Sequence, residues 1–218
     1  MTLAIFDLDN TLLAGDSDHA WGQFLIDQGL VDSTVVKAAN EAFYKQYQAG
    51  ELDIDRYLRF SLSFLAGKPL EELAKLHRTF MATVIEPMIA PGSWALLDKH
   101  RERGDTLMII TATNRFVTGP IAEHLNIPHL IACEAEMADG CYTGLPTGIP
   151  SYQEGKVARL KTWLEEHRES LDGAWFYSDS LNDLPLLRLV DHPVAVDPDA
   201  TLAAEAKQQN WPIISLRE

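Results

Sequence analysis

Two pairs of aspartates, each placed shortly after an apolar run, are the residues of this sequence best suited to chemistry. They are Asp7 with Asp9 and Asp179 with Asp183. Carboxylates at positions i and i+2 of an extended segment project to the same side, where they would repel each other unless a cation lay among them. Oxygen ligands favour Mg2+ over Zn2+, and no His or Cys pair at metal-binding spacing lies nearby. The sequence therefore predicts a magnesium site among these aspartates.

A hydroxyl and a lysine elsewhere in the chain could hold a phosphate next to such a metal. Thr111 ends another apolar run, and Lys156 lies in the first turn of a predicted helix, where the helix dipole favours anions. A hydroxyl donor and a point positive charge both suit phosphate oxygens. Together with the aspartates, they indicate a site for phosphoryl transfer.

Short apolar segments of strand type alternate with helical periodicity and would position these residues. The segments are residues 3–6, 106–110, 129–132, 174–177, 194–196 and 213–214. Strands that alternate with helices predict an α/β fold with a doubly wound parallel sheet. The carboxyl ends of parallel strands gather along one edge, so Asp7, Thr111 and Asp179 would share one crevice. Asp139-Gly140, between alternating residues, also predicts a hairpin turn.

Residues 16–85 differ from the rest because they show helical periodicity and no strand signal. Four helices are expected there, the second capped by Ser33 and the fourth opened by Pro69. We therefore expect a helical cap at 16–85, inserted after the first strand into a core made of residues 1–15 and 86–218.

The composition disfavours several kinds of protein. A formal net charge of −14, from 18 basic and 32 acidic residues, disfavours nucleic acid as a partner, because proteins bind the anionic phosphate backbone through clustered Lys and Arg. No apolar run approaches the roughly 18 residues of a membrane helix, and the start lacks the basic region of a signal peptide. A cytoplasmic protein without a membrane partner is expected, with Cys133 and Cys141 as free thiols. The sequence leaves the oligomeric state open.

Four short motifs resemble those of the haloacid dehalogenase-like hydrolases. They are residues 6–12 with the pattern DxDx[TV], the strand end Ile109-Ile110-Thr111, Lys156, and residues 179–183 with the pattern DxxxD. The first and fourth motifs are specific for this family, whereas the second and third indicate it only when they occur together with the other two. The helical insertion between the first two motifs is similar to the small cap of the phosphoserine phosphatase-like subfamily. The resemblance thus implies a Rossmann-like core with a cap.

The resemblance implies a catalytic or phosphate-binding role for four motif residues. Asp7 would be the nucleophile that becomes an aspartyl phosphate. Asp9 would protonate the leaving oxygen and then activate the water that cleaves the intermediate. Thr111 and Lys156 would hold the transferring phosphoryl group, and Lys156 would also offset the charge of Asp7.

The resemblance also implies how Mg2+ would be bound. Its ligands would be the Asp7 carboxylate, the backbone carbonyl of Asp9 and the Asp179 carboxylate. Asp183 would support these ligands from behind, and its neighbour Asn182 is a further candidate for orienting them.

Residues outside the four motifs bear on the substrate. Phosphoserine phosphatases hold the substrate amine with an acidic residue shortly after the first motif, and Asp16 occupies that place. They bind the substrate carboxylate with a cap arginine, whereas an ungapped alignment puts Ser61 at that position. This combination predicts a small phosphomonoester with an amine and without a carboxylate, such as histidinol phosphate. Asn114, shortly after the second motif, is a further candidate to bind substrate.

Other functions compete with this phosphatase. A phosphoserine phosphatase is one alternative, and a phosphotransferase or mutase that passes the phosphoryl group to another substrate is a second. Release of inorganic phosphate without an acceptor would separate hydrolysis from transfer. A receiver-type signalling domain shares the acid cluster, but this chain is too long for one. A degenerate relative that only binds phosphorylated ligands is disfavoured because all the chemical groups are present.

Overall fold

The computed structural model describes residues 2–218, in which one seven-stranded sheet is flanked by helices. The strands are β1 (Leu3–Phe6), β2 (Thr106–Asn114), β3 (His129–Ala138), β4 (Cys141–Thr147), β5 (Trp175–Ser178), β6 (His192–Val196) and β7 (Ile213–Ile214). Their spatial order is β4-β3-β2-β1-β5-β6-β7, and neighbouring strands are parallel except for β3 and β4. The predicted α/β fold with a doubly wound, mostly parallel sheet is therefore confirmed.

The helices occupy both the segment between β1 and β2 and the crossovers of the sheet. They are α1 (Ser17–Asp27), α2 (Ser33–Ala49), α3 (Ile54–Ser63), α4 (Leu70–Phe80), α5 (Glu86–Met88), α6 (Ser93–Glu102), α7 (Arg115–His124), α8 (Glu154–His167), α9 (Leu184–Leu187) and α10 (Ala200–Gln209). The first four fall within 16–85, although the cap limits themselves stay a prediction. Within residues 2–218, no helix has the length and apolar character needed to cross a membrane. Cys133 and Cys141 are free thiols, as predicted.

Strand β1 lies at the centre of the sheet and delivers its carboxyl end to the site. All four of its residues are buried, as expected for an apolar run covered on both faces. Phe6 pairs with Ile109 of β2 on one side and with Tyr177 of β5 on the other. The residues that follow these three positions therefore lie side by side at one edge of the sheet.

Strands β2 and β3 are longer than the sequence predicts. The pairing of β2 with β3 shifts register past Ile110, so Thr111 lies within the strand rather than just beyond its end. Strand β3 continues into the antiparallel hairpin with β4. Asp139 and Gly140 at its turn have φ values of 50° and 78°, the left-handed conformations of a two-residue hairpin turn. The predicted hairpin is confirmed.

The second helix begins differently from the prediction. Asp32 rather than Ser33 caps it, because the Asp32 carboxylate accepts hydrogen bonds from the backbone N–H groups of Thr34 (2.8 Å) and Val35 (3.1 Å). Aspartate one position earlier satisfies these free donors equally well, so the prediction for Ser33 was wrong. Pro69 stands directly before α4, as predicted.

Aromatic side chains anchor the helical segment to the sheet beside the site. The Trp21 ring of α1 lies 5.1 Å from that of Phe80 and 5.4 Å from that of Phe116, both in edge-on geometry. Trp21, Phe24 and Phe80 share a buried cluster with Leu12 of the loop after β1. Such aromatic pairs add to the stabilisation from buried area. The cluster therefore fixes α1 against α4 and α7.

Candidate active site

The loop after β1 places two aspartates in one cavity. Asp7 is buried, and its backbone N–H donates to the Tyr177 carbonyl oxygen at 2.9 Å. The chain then turns through Leu8–Leu12, where Asp9 keeps an extended conformation and Asn10 takes a positive φ of 58°. As a result, Asp7 and Asp9 both line the same cavity.

Lys156 is buried between two carboxylates, Asp7 directly after β1 and Asp183 in the short helical turn that follows β5. Its Nζ donates to Asp7 Oδ1 at 2.8 Å and lies 2.7 and 2.9 Å from the two oxygens of Asp183. Ser178 Oγ donates to Asp183 Oδ2 at 2.7 Å. Burial alone would lower the pKa of Lys156, but Asp183 and Asp7 outweigh it and raise that pKa. The lysine is therefore held charged against the predicted nucleophile.

Asp179 adds a third carboxylate to this group. Its Oδ1 accepts a hydrogen bond from Thr11 Oγ1 at 3.3 Å. Burial raises the pKa of Asp179 well above its ordinary value, and the charges of Asp7 and Asp183 raise it further. Burial likewise raises the pKa of Asp7 to about 7, although Lys156 opposes the shift. Three carboxylates around one ammonium group leave a deficit of positive charge.

The donor atoms of this group fit a hard cation. Within residues 2–218, no three or more His, Cys, Asp or Glu side chains are placed to hold a metal ion by themselves. Mg2+ needs no such cage, because it keeps several waters and takes one or two carboxylates. Lys156 donates to Oδ1 of Asp7 and Thr11 to Oδ1 of Asp179, which leaves Oδ2 of each carboxylate for such an ion.

Two threonines of β2 line the same cavity as Asp7 and Asp9. Thr111 is buried, and its Oγ1 accepts from the Thr113 backbone N–H at 3.1 Å, which leaves the hydroxyl hydrogen to donate elsewhere. Thr113 Oγ1 donates to Asp9 Oδ2 at 2.8 Å, and the Ser17 backbone N–H donates to Asp9 Oδ1 at 2.6 Å. Burial and then the nearby charge of Asp16 raise the pKa of Asp9 to about 6. An acid that titrates near neutral pH can give a proton and take one back.

The two residues predicted to bind substrate have different surroundings. Asp16 is half-buried, lines the cavity and caps α1 by accepting from the His19 backbone N–H at 2.8 Å. Burial, reinforced by Asp18, raises its pKa to about 6. Asn114 is buried; its Nδ2 donates to Asp18 Oδ1 at 3.1 Å, and its Oδ1 accepts from the Val117 backbone N–H. Asp18 lines the cavity, and Asn114 supports it from behind.

Comparison with known proteins identifies the family of this chain. The family model of the haloacid dehalogenase-like hydrolases matches residues 4–188. The chain belongs to this hydrolase family. The resemblance drawn from the four motifs is therefore confirmed.

Relatives of this hydrolase cover nearly its whole length. A histidinol-phosphatase of Neisseria meningitidis serogroup C (strain 8013) is 50% identical over 219 residues, which cover 99% of each chain. A phosphoserine phosphatase of Mycobacterium tuberculosis (strain ATCC 25618 / H37Rv) is 30% identical over 98% of this chain and 70% of its own.

Solved structures share the hydrolase fold. A protein of unknown function from Bordetella pertussis Tohama I superposes with a TM-score of 0.92 at 40% identity, covering 99% of this chain and 100% of that one. A substrate-bound phosphoserine phosphatase superposes with a TM-score of 0.70 at 17% identity over 100% and 93% of the two chains. The latter match shows a common fold.

Four side chains meet in a group that we call the Asp18 cluster, namely Asp18, Tyr57, Ser61 and Asn114. The sequence analysis singled out Ser61 and Asn114, but it missed Tyr57 and the contacts of all three with Asp18. Tyr57 Oη donates to Asp18 Oδ2 at 2.7 Å and Ser61 Oγ to Asp18 Oδ1 at 2.8 Å. Asn114 Nδ2 also lies 3.1 Å from Ser61 Oγ. Tyr57 and Ser61 are four residues apart and share one face of α3, but no sequence pattern links that face to Asp18.

A second missed contact joins α2 to the loop that carries the fourth motif. Asn182 Oδ1 accepts from Tyr152 Oη at 2.9 Å and from Gln153 Nε2 at 3.0 Å, and Asn182 Nδ2 donates to the Tyr47 carbonyl at 3.0 Å. Gln153 Nε2 also lies 3.2 Å from the Gly50 carbonyl. Gln153 has φ 47° and ψ −121°, a conformation that a residue with a Cβ keeps only where its surroundings enforce it.

Proposed function

We propose that this hydrolase is a Mg2+-dependent phosphatase that cleaves a small phosphomonoester through an aspartyl phosphate on Asp7. The observation that carries the proposal is the buried contact of Lys156 with Asp7 and Asp183, next to Asp179. A carboxylate nucleophile flanked by an ammonium group and by oxygens suited to a cation meets the needs of phosphoryl transfer.

The side chains divide the reaction between them. Asp7 attacks phosphorus and forms a new P–O bond, while Asp9 gives its proton to the ester oxygen as that P–O bond breaks. Asp9 then takes a proton from a water whose oxygen attacks phosphorus, which releases inorganic phosphate and restores the Asp7 carboxylate. Lys156 and Thr111 bind the oxygens of the transferring group. The pKa of Asp9, about 6, suits both proton transfers near neutral pH.

Mg2+ would be held by the Asp7 carboxylate, the Asp9 backbone carbonyl and the Asp179 carboxylate. When bound, the ion stabilises the negative charge of the transferring phosphoryl group. Asn182 and Asp183 are both buried and hydrogen-bonded to neighbouring side chains, so they would hold the loop of Asp179 in position.

The substrate that we propose is an amine-bearing phosphomonoester such as histidinol phosphate, with the amine bound by Asp16. The cavity wall carries the carboxylates of Asp9, Asp16 and Asp18, and its described lining includes no Lys or Arg. Such a wall attracts a cationic group and repels the carboxylate of phosphoserine, the alternative substrate. The name of the Neisseria relative agrees with this choice.

The test of the proposed function is a screen of phosphorylated metabolites for Mg2+-dependent release of inorganic phosphate without an added acceptor. We expect phosphate release, with histidinol phosphate cleaved at a higher kcat/KM than phosphoserine. Turnover that appears only when a second alcohol is added would instead indicate a phosphotransferase or mutase.

The cytoplasmic location and the absence of nucleic-acid and membrane partners stay predictions from the sequence.

Asp16→Asn is expected to raise KM for amine-bearing substrates about tenfold or more, because a charge-assisted hydrogen bond contributes about 1.5–3 kcal/mol. Asn retains the helix cap that Asp16 provides, so the change isolates the charge. The measurement is steady-state kinetics with histidinol phosphate and with an aryl phosphate that lacks an amine. Equal rises in KM for both substrates would contradict the role of Asp16.

Closure of the helical cap, which we propose spans 16–85, would depend on the contacts of Gln153 with Gly50 and Asn182. Gln153→Ala removes these hydrogen bonds, each contributing about 1 kcal/mol, and is expected to raise KM severalfold. Gln48→Ala, at an exposed position of α2, is the matched control. An unchanged KM in Gln153→Ala would show that these bonds do not hold the cap.

A further inference from the structure

Asp18 is a carboxylate of the cavity wall with capacity for one more hydrogen-bond donor. It is 9% exposed and lines the cavity. Its Oδ1 accepts from Ser61 and Asn114, whereas its Oδ2 accepts from Tyr57. A carboxylate offers about four lone-pair sites, so one acceptor site on Oδ2 is free for a ligand.

Within residues 2–218, Asp18 forms no ion pair, and its side-chain contacts are with Tyr57, Ser61 and Asn114. The three donors that contact it are neutral, the nearby carboxylate of Asp9 carries the same sign of charge, and the exposed His19 makes no contact with the Asp18 side chain. A buried carboxylate held only by neutral donors favours a cationic ligand, because the ligand supplies the charge that the protein lacks. An arginine in place of Ser61 would provide that charge internally.

The wall beside Asp18 is aromatic. Phe43 and Tyr57 both line the cavity, with ring centroids 5.6 Å apart in edge-on geometry. Leu52 and Tyr44 extend the same lining. Flat apolar surfaces next to a carboxylate suit a planar ring that carries an N–H or a positive charge.

We propose that Asp18 is the residue that selects a basic heteroaromatic ring at the end of the substrate remote from the phosphate. This inference rests on the proposed function. It predicts that the substrate is a phosphomonoester of an amino alcohol that carries such a ring. Asp16 binds the amine near the phosphate, and Asp18 accepts a hydrogen bond from the ring N–H while the ring packs against Tyr57 and Phe43. Ser61 leaves the Asp18 charge available for the ring.

The test compares Asp18→Asn with Asp27→Asn, which removes the same charge from an exposed position of the same helix. The substrates are histidinol phosphate and alaninol phosphate, which has the amine and no ring. Asp18→Asn is expected to lower kcat/KM for histidinol phosphate about tenfold to a hundredfold, mainly through KM, and to change alaninol phosphate less than about threefold. Asp27→Asn should change neither. Equal losses on both substrates would overturn the proposal, since they indicate a structural role.

Ser61→Lys provides a second variant in case Asp18→Asn does not fold. It keeps Asp18 and places an ammonium group beside it, so the same selective loss of the ring substrate is expected. Wild-type preference for histidinol phosphate over alaninol phosphate in Ser61→Lys would contradict the proposal.

Binding in an Asp7→Asn background separates this inference from the proposed function. Calorimetry should show tighter binding of histidinol phosphate than of alaninol phosphate, and adding Asp18→Asn should abolish the difference. If this difference in binding is observed but the wild type hydrolyses neither substrate, the proposed phosphatase activity is wrong and the role of Asp18 stands. If the wild type hydrolyses these substrates but Asp7→Asn binds both equally tightly, the role of Asp18 is wrong and the phosphatase activity stands.

Discussion

Asp7→Asn is expected to reduce turnover by at least about a thousandfold while the chain stays folded. The amide has nearly the shape of the carboxylate but cannot attack phosphorus as an anion. Lys156 would still contact Asp183, so its buried charge keeps a partner. Phosphate release measures the loss of turnover, and circular dichroism checks the fold. Turnover near the wild-type rate would show that Asp7 is not the nucleophile.

Asp7→Asn should also change how stability depends on pH. The pKa of Asp7 is about 7 in the folded chain, against an ordinary value of 3.8. An acid whose pKa is raised by folding binds more protons in the folded state, so its ionisation lowers the free energy of unfolding as pH rises from about 4 to about 7. In metal-free buffer, the wild type should lose more stability than Asp7→Asn across that window. Parallel stability curves for the two proteins would contradict the raised pKa.

Removal of Mg2+ is expected to reduce the rate by at least about a hundredfold, because a bound ion would stabilise the transition state by several kcal/mol. Without it, Asp7, Asp179 and Asp183 face an anionic substrate with Lys156 as the one counterion among these four groups. The measurement is activity after chelation, followed by readdition of Mg2+. The control is chelator already saturated with Mg2+, which should not inhibit. Full activity in free chelator would exclude the metal role.

The core and its acids were predictable because the signals are local. A buried run such as residues 3–6 followed by Asp7 and Asp9 identifies a strand and the acids at its carboxyl end within a few residues. Parallel pairing then brings Asp179 and Thr111 to the same edge. The extent of β2 was less predictable, because its final residues are set by an irregular register with β3. Thr113 could have been found, since alternate strand residues share a side.

The contacts between helical cap and core could not be predicted from local pattern. Asp18 lies on α1, Tyr57 on α3 and Asn114 at the end of β2, so their meeting depends on how three elements pack. Gln153 adopts a positive φ without being Gly, Asn or Asp, and no sequence rule indicates it. The N-terminal capping residue of α2 was also predicted wrongly, because Asp32 and Ser33 are both residue types that cap helices.

The most direct test of the covalent mechanism is mass spectrometry of the enzyme quenched in acid during turnover with histidinol phosphate. The mechanism predicts the added mass of one phosphoryl group on the peptide that carries Asp7, and none on that peptide in Asp7→Asn. Turnover without any phosphorylated peptide, or a phosphoryl group on another side chain, would contradict nucleophilic attack by Asp7.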